Sequence, residues 1–562
     1  MSPKPAELLA SIRAGMKPTR LDEAIAHLFP GWGRKRLESR AVMAIAGSWS
    51  GANRDRAEWK NFTPLSLSPL EEMRWDRETL ITRSADLERN DPVAGGAIAE
   101  LVTSVVGTGL SLHLEPKRRI LGWTQDQAAE WAQGVQERFS LWAENAAECD
   151  IERSLNFYQS QALLVSTVAT RGDAFVILPR RTHPGCIWST KFQLVEGDRC
   201  LNPIGRLDDE TLGMGVELDA TGGPKSYWIS KRHPGGLMPL AQDDFVNYPA
   251  FDSKGHPQIL HLMHKRRMGV RRGYPFLSNV IIPLKQLSRL SENELTASVV
   301  SSLFAVLIRK TGASSPGPLG GLQNSTDAAG NSFKEIGSGT IAELLPNEDI
   351  SVVAPNRPNG AFDPFWKSIV GQIALRTQIP PEVLLKKFES SYTAARGALL
   401  QFWKFITIER DMFLGPCYCQ PAFEAWLAED VAAGGTKAPG FFTDPLYRYA
   451  YASAKWVGDN PPILDPLKEV LAAEELVDYG FSTYEEQTTK LTGGSSEANV
   501  ERLGREIALR RKAGLVPLPA PTKATPAPGQ PDPDEEPQPP AEPIPPGRKR
   551  GALIDAALRE TT

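Results

Sequence analysis

The sequence predicts an α+β protein in which helical segments bracket one strand-rich region. Between residues 174 and 262, short apolar runs such as "AFVILP" and "KSYWIS" alternate with Gly, Pro and Asp clusters, a pattern typical of antiparallel strands and tight turns. On both sides of this region, apolar residues recur at helical spacing instead. After residue 515 the chain holds 13 of its 46 prolines and few large apolar side chains, which predicts a disordered tail.

Helices are predicted before the strand-rich region. Residues 1–60 show no sustained period and are interpreted as an N-terminal arm. Residues 79–106 predict two helices separated by an Asn-Asp-Pro break, because proline disfavours a helical conformation of the residue before it. Gly107 and Gly109 are predicted to end the second helix, and another helix is predicted over 124–146.

Long helices are also predicted after the strands. Pro275 is expected to open a helix that runs to about residue 308, followed by an exposed Gly-, Ser- and Pro-rich excursion with two strand-like runs. Helical spacing returns near residue 365, breaks at Pro380 and resumes until Gly415 and the proline that follows it.

Beyond residue 465, the sequence predicts shorter helices with recognisable start and stop signals. The first is predicted to end at Gly480, and Ser482 with Glu485 matches a capping box that would begin the next. The third helix, rich in Arg and Glu, is predicted to end at Gly514.

Composition and charge restrict the function classes. The chain has 562 residues, 41% of them apolar, which is enough for several cores. Its net charge of -4, from 63 basic and 67 acidic residues, excludes a protein that coats nucleic acid through bulk positive charge. Any DNA contact is therefore predicted to be local or weak.

The cysteines and the longest apolar stretch predict the compartment and the relation to membranes. Five scattered cysteines argue against a disulfide framework and favour a reducing cytoplasm. The longest apolar stretch, residues 297–308, is too short to span a bilayer and is interrupted by serines, so no membrane partner is predicted.

Motifs of catalysis and cofactor binding are missing from the sequence. It contains no Gly-x-Ser-x-Gly elbow, Walker-type loop or His-Glu-x-x-His, so we predict no enzyme activity and no cofactor. His261 and His264 could share a helical face and bind a metal, but no acidic or cysteine ligand stands at a useful spacing. Cys417 and Cys419 are interpreted as buried thiols, and no metal site is predicted.

A basic segment precedes Pro275. Its five cations fall within eight residues: Lys265, Arg266, Arg267, Arg271 and Arg272. They could bind phosphates, or they could form ion pairs between subunits of an oligomer, and local charge alone leaves both readings open.

A polar segment joins the break at Pro380 to an aromatic-rich helix. Its candidate DNA-facing residues are Lys386, Lys387, Ser390, Ser391 and Tyr392. A loop held between two helices could present these lysines to a channel, where they would touch phosphates transiently. A solvated loop tip remains the alternative.

Five stretches of the sequence carry further information: "RSADLERNDPVAGGAIAELVTSVVGTGL", "CDIERSLNFYQSQALLVSTVATRGDAFVIL", "RRMGVRRGYPFLSNVI", "SSYTAARGALLQFWK" and "ILDPLKEVLAAEELVDYGFSTYEEQ". In this order they resemble blocks of the lambda-like family of tailed-bacteriophage portal proteins, also called head-tail connectors. The resemblance assigns structural roles to Arg89, Asn90, Gly107, Gly109, Arg396, Asp465 and Pro466. Val270, Thr393 and Ala394 depart from the usual family residues.

The resemblance implies a portal-protein fold assembled as a ring, which in the family has twelve subunits. The implied segments are an arm (1–60), a wing of helices then antiparallel strands (61–274), stem helix 1 (275–302), an α/β clip (303–361), stem helix 2 (362–378), a channel loop (379–392), a long helix returning to the wing (393–464), a helical crown (465–515) and the tail (516–562).

The implied function is a channel at one capsid vertex, through which double-stranded DNA is packaged and later ejected. Implied partners are the terminase large subunit, major capsid and scaffolding proteins, and head-completion or tail adaptor proteins. DNA contact is expected to be weak and sequence-independent, and the expected location is the virion, with host cytoplasm during assembly. A non-channel scaffold or assembly adaptor is the alternative.

Overall fold

The computed structural model describes residues 62–514 apart from several gaps. The described ranges are 62–303, 307–309, 324–326, 332–334, 342–344, 360–388, 391–460, 466–492, 494 and 496–514. The predicted arm and tail, and most of the predicted clip, lie outside the described residues. Within these ranges, no helix combines the length and apolar character that crossing a membrane requires.

The described helices occur before, between and after the strands in the sequence. They are α1 Pro69–Arg74, α2 Arg77–Asn90, α3 Pro92–Val105, α4 Arg118–Leu121, α5 Gln125–Glu144, α6 Ala146–Cys149, α7 Phe157–Arg171, α8 Ile281–Leu303, α9 Phe362–Thr377, α10 Pro381–Leu385, α11 Tyr392–Ile408, α12 Gln420–Ala432, α13 Pro445–Tyr451, α14 Pro466–Asp478, α15 Tyr484–Thr492 and α16 Ser496–Lys512. A π-helical segment, Glu409–Cys419, connects α11 to α12.

The strands form small sheets. They are β1 Ser111–Leu114, β2 Asp173–Ile177, β3 Gln193–Glu196, β4 Leu212–Gly213, β5 Val216–Leu218, β6 Pro224–Ser230, β7 Phe245–Pro249, β8 Ile259–Met263, β9 Leu307–Arg309, β10 Asn324–Thr326, β11 Ser332–Lys334, β12 Ala342–Leu344 and β13 Ala454–Val457. Antiparallel sheets with the orders β3-β2-β8 and β4-β5-β6-β7 fill the predicted strand-rich region, which confirms the α+β class.

The remaining strand pairs are shorter. β1 pairs with β13 in an antiparallel ladder, so the segment after α3 is joined to one more than 300 residues later. Within the predicted clip, β9 and β12 pair in parallel and β10 and β11 pair antiparallel.

The break between α2 and α3 forms as the sequence predicts. Asp91 ends α2, and its side chain accepts hydrogen bonds of 2.9 Å from the N–H groups of Val93 and Ala94. Pro92 occupies the first position of α3, where a missing N–H costs nothing.

An aromatic cluster anchors the main core. Phe139 and Trp142 on α5 meet Phe157 on α7 and Phe423 and Trp426 on α12. The ring centroid of Phe139 lies between 5.2 Å and 5.6 Å from the other four. These contacts fix the start of α12 against helices almost 300 residues earlier in the chain.

The first long helix after the strands begins later than predicted. α8 starts at Ile281, not at Pro275, because the intervening residues form hydrogen-bonded turns. The N–H of Phe276 donates to the carbonyl of Ala169 at 2.8 Å, and Leu277 is fully buried. A contact with the end of α7 therefore holds this stretch out of the helix.

The helix predicted to stop at Gly415 continues through it. α11, the π-helical segment and α12 follow one another without a break from Tyr392 to Ala432. Pro416 lacks an N–H to donate, and the chain widens into a π-helix there instead of ending.

Among the described residues the chain divides into two compact units. The first extends to residue 472 and includes 491–492, and the second, the C-terminal unit, comprises 473–490, 494 and 496–514. Gly480 and Gly514 adopt left-handed φ values of 73° and 71°, which confirms both predicted glycine caps. The predicted capping box is shifted, because Thr483 Oγ1 accepts from the N–H of Glu486 at 3.2 Å.

Candidate functional site

The segment predicted to face a channel has an ordered base. After α9, Gln378 turns the chain with a φ of 58° and leads into α10. Ile379 is fully buried and Val383 is 8% exposed, and α10 packs against α3 and α9. The predicted loop, 379–392, therefore begins as part of the core, and its exposed part starts at Lys386.

Lys386 caps α10 in an unusual conformation for lysine. Its φ is 53°, in the left-handed region where glycine usually ends a helix. The N–H of Lys387 donates to the Glu382 carbonyl at 3.0 Å and that of Lys386 to the Val383 carbonyl at 3.2 Å, the pattern of a Schellman cap. A non-glycine residue pays roughly 1 kcal/mol for this conformation.

The cap presents two cations to solvent. The Lys386 side chain is 81% exposed, with its Nζ 3.8 Å from Glu100 Oε2. Lys387 and Phe388 are also exposed. An ion pair this exposed contributes little, so the Lys386 ammonium can exchange Glu100 for another anion at small cost.

The other predicted loop residues lead into α11. Ser391 is exposed and occupies the N-cap position without a side-chain cap bond, so the first N–H groups of α11 lack that partner. Such a helix start attracts anions. Tyr392 is the first residue of α11, its side chain is not described, and Ser390 lies outside the described residues.

α11 anchors the exposed segment firmly. Phe402 and Ile406 are buried in the main core. Near the helix start, Arg396 Nη2 lies 3.5 Å from Glu469 Oε1. α11 is therefore fixed in the core on the C-terminal side of the exposed lysines, Lys386 and Lys387.

Arg410 fixes the far end of this helix. Its guanidinium donates to the carbonyls of Val105, Ser104 and Asp459 at 2.7, 2.8 and 2.6 Å. Two of these carbonyls belong to the last turn of α3, which lacks helical donors for them. The same α3 packs against α10, so both ends of the segment rest on one helix.

Arg272 of the predicted basic segment is a core residue. Its side chain is 1% exposed, and its Nε donates to Asp173 Oδ2 at 2.6 Å. It also donates to the carbonyls of Gly197, Cys200 and Met214. The expectation that it binds phosphate or a second subunit is wrong, because the folded chain already satisfies and encloses it.

Two other basic residues also have partners within the chain. Arg267 pairs with Glu72, and Arg271 donates to the carbonyls of Asp209 and Glu210. Arg266 lies over the Tyr274 ring at 4.7 Å. Lys265, Arg266 and Arg267 are exposed, and an exposed ion pair contributes little, so these three residues keep the predicted alternatives of phosphate or intersubunit contact open.

Asp173 is the centre of a buried charge cluster that the sequence did not reveal. Besides Arg272, it accepts from Arg77 Nη2 at 2.8 Å and lies 3.3 Å from His261 Nε2. Burial alone would raise the pKa of Asp173, but the charges of Arg272 and Arg77 hold it well below its usual value. The cluster connects α2, β2, β8 and the segment before α8.

This cluster explains why two of the resembling blocks contain glycine beside a charged residue. A Cβ on Gly172 would lie 2.5 Å from the Tyr274 backbone, and one on Gly273 would lie 1.9 Å from the Gly172 carbonyl oxygen. The backbones approach too closely for side chains, and Asp173 and Arg272 pair beside them.

The two histidines do not share a helical face. His261 lies on β8, where it stacks on Phe175 at 4.3 Å between centroids. His264 lies after β8, with its Nε2 3.4 Å from Glu409 Oε2. Burial raises the pKa of Glu409 to about 7 and lowers that of His264 to about 4.

One side-chain group has the composition of a metal site. Glu196, Asp198 and His233 offer ligand atoms within 4.8 Å of one another. Asp198 already pairs with Arg171 at 2.9 Å, and His233 Nδ1 accepts from the N–H of Gly235. His233 Nε2 lies 3.5 Å from Glu196 Oε2 and 3.7 Å from Asp198 Oδ2, so polar contacts among these side chains account for the group without a metal ion.

Some of the structural motif residues make identifiable contacts. Gly107 and Gly109 have φ values of 56° and 112°, and a Cβ on either would clash, with Asp459 and Tyr158 respectively. Asn90 donates to Asp86 at 2.7 Å. Arg89 is exposed, Pro466 begins α14 and Asp465 lies outside the described residues.

A family model described as "Phage portal protein, lambda family" matches residues 55–410. The chain belongs to this family. The identification confirms the resemblance carried by the five blocks and the predicted phage portal function, and it disfavours a non-channel adaptor. The family consists of structural proteins.

Individual relatives agree with the family. The chain is 25% identical over 457 residues to portal protein B of Escherichia phage lambda, covering 77% of this chain and 84% of that protein. It is 25% identical over 458 residues to the portal protein of Escherichia phage N15, covering 77% and 85%.

Among solved structures, a chain from the neck of an empty GTA particle, computed with C6 symmetry, is similar with a TM-score of 0.34 and 14% identity, covering 74% of this chain and 93% of that one. Another, from the neck of a native GTA particle with C12 symmetry, has a TM-score of 0.35 and 11% identity, covering 74% and 92%.

Proposed function

We propose that copies of this portal protein form a closed ring of twelve, and that double-stranded DNA passes through its channel during packaging and ejection. The observation that supports DNA contact is the Schellman cap at Lys386. A strained left-handed lysine, followed by a second exposed lysine, extends from a base that is buried in the core. Strain retained at an exposed cap is typical of a functional position.

The small number of cations suits a conduit. Lys386 and Lys387 would touch passing phosphates briefly, whereas a strongly basic lining would bind them and resist movement. The near-neutral net charge of the chain supports this arrangement. Contact should be independent of DNA sequence and should weaken with salt.

The elements around the loop are assigned to the parts of a portal subunit. The helices and sheets up to residue 274 would form the wing, α8 and α9 the stem helices, and the excursion between them the clip. The clip would meet the terminase large subunit and later the head-completion or tail adaptor proteins. The helices after residue 465 would form the crown, in contact with capsid or scaffolding proteins inside the virion.

An apolar groove beside the loop supports assembly into a ring. It has a volume of about 500 Å³ and lies between α9, α10 and α11. Leu375 and Ile408 on its walls are 83% and 48% exposed, and an adjacent subunit would cover them. Electron microscopy tests this directly, since persistent monomers or discs without an axial opening would exclude a channel.

The loop assignment is tested by removing its charge. The double change Lys386→Gln and Lys387→Gln should leave rings intact and lower the amount of nuclease-protected DNA in assembled particles several-fold. The matched control is Lys225→Gln with Lys455→Gln, two lysines 63% and 69% exposed on the first unit.

The control loses the same charge and should package DNA normally. If the two double variants package equally well, the loop lysines do not contact DNA. If rings fail to form only with the loop variant, the two lysines serve assembly instead.

A further inference from the structure

The C-terminal unit leaves its apolar side chains uncovered. Among its described residues, only Ala473 and Gln487 are buried. The large apolar side chains exposed to solvent are Leu476, Tyr479, Phe481, Tyr484, Val500, Leu503, Ile507 and Leu509. Helices in proteins are held mainly by the burial of an apolar face, and the described residues of this unit bury too little apolar surface to hold it folded in a single copy.

One uncovered set lies along α16. Val500, Leu503 and Ile507 follow one another at spacings of three and four, within an arc of roughly 60° on the helix surface. We call these residues the α16 face. Leu509 lies about 150° from the centre of this arc, on the opposite side of α16. Its exposed fraction, 66%, is similar to the 53% of Leu503.

The second uncovered set is aromatic. Tyr479 and Phe481 lie between α14 and α15, with ring centroids 6.4 Å apart, and Tyr484 begins α15. Their exposures are 76%, 79% and 68%. We call these three residues the aromatic face.

The two faces carry opposite charge around them. Residues 473–490, which surround the aromatic face, contain five acidic residues and one lysine. α16 contains five basic residues and three acidic ones. Apolar residues that are flanked by complementary charge fit one another both by packing and by electrostatics.

We propose that the α16 face of one copy packs against the aromatic face of the adjacent copy. This inference rests on the proposed ring, because a cyclic ring needs two different surfaces on each copy that fit one another. The C-terminal unit gains a core only when its neighbours are in place. Ring closure therefore orders this unit.

Cysteine cross-linking of the full chain tests the contact. The double variant Leu503→Cys with Phe481→Cys is treated with a short bis-maleimide and separated under denaturing conditions. The matched control is Leu509→Cys with Phe481→Cys, which places the first thiol on the opposite side of α16. The single variants Leu503→Cys, Leu509→Cys and Phe481→Cys are treated in the same way, and they report any cross-links that involve the five native cysteines.

The expected result is a ladder of covalent multimers for the Leu503 pair and uncross-linked chains for the Leu509 pair and the single variants. Links only within one chain, or equal ladders from both pairs, overturn the proposal. Electron microscopy of the same samples separates the two hypotheses: rings without the ladder overturn this contact alone, whereas absence of rings overturns the proposed function and this contact with it.

Discussion

Replacing Asp173 with asparagine is expected to loosen the sheet formed by β3, β2 and β8. Asparagine keeps the shape of the side chain but removes the charge that Arg272 and Arg77 face inside the protein. Asp173 is fully buried, and the side chains of Arg272 and Arg77 are 1% and 11% exposed, so solvent reaches neither guanidinium well. The fold would then hold the Arg272 guanidinium in the core without its paired carboxylate, and Arg77 beside it would lose the same partner.

The size of the effect follows from that burial. Breaking a buried ion pair by removing one partner costs about 3–5 kcal/mol. At 1.36 kcal/mol for each factor of ten, protection of the β2 and β8 amides against hydrogen exchange should fall by about 150-fold to 5,000-fold. Exchange measured by mass spectrometry reports this loss for each peptide of the sheet.

The control removes an exposed pair. Lys455 Nζ lies 2.7 Å from Glu115 Oε1, with the two side chains 69% and 36% exposed. Lys455→Gln should cost at most about 1 kcal/mol, or roughly fivefold in protection of β1 and β13. If Asp173→Asn changes protection of its own sheet no more than this control does, the buried cluster is not what holds the sheet.

Two further predictions concern pH and backbone conformation. Burial raises the pKa of Glu409 to about 7, so the free energy of unfolding should fall as pH rises from about 4.5 to about 7. Burial lowers the pKa of His264 to about 4, so its contribution to the free energy of unfolding should increase as pH rises from about 4 to about 6.5. In Glu409→Gln, only the His264 contribution of this pair remains, so the melting temperature should rise across pH 4–6.5 and should not fall near pH 7. If the melting temperature of the variant follows the same pH profile as that of the unmodified chain, this reasoning is wrong. Gly109→Ala should destabilise by roughly 1–3 kcal/mol, because Gly109 has a φ of 112° and a Cβ would lie 2.6 Å from Tyr158. Gly134→Ala, in open space on α5, should instead stabilise by about 0.5–1 kcal/mol in the same thermal melts.

Features that depend on neighbouring residues were predictable from the sequence. The Asp91 break, the glycine caps at Gly480 and Gly514, and the strand-rich region all match, because caps and turns are set within a few residues. The break at Pro380 was also predicted, but α10, which lies between Pro380 and Lys386, was not. The Schellman cap at Lys386 was not predictable either, because lysine is not the residue that usually signals such a cap.

Features that depend on distant residues were not predictable. The late start of α8 results from the contact between Phe276 and Ala169, more than 100 residues earlier. The assignment of Arg272 to a surface failed for the same reason, since its partner Asp173 is 99 residues away. Local charge could not distinguish the buried Arg272 from the exposed Lys265 seven residues earlier.

The sequence by itself determined the family, the α+β class and the place where a cationic turn meets a packed helix, because ordered blocks and local punctuation carry that information. Only the tertiary structure decided which cations remain exposed. Burial removes a charge from water and requires a partner, and that partner is supplied by chain segments that meet only when the protein folds. It left Lys386 and Lys387 in solvent and enclosed Arg272 with Asp173.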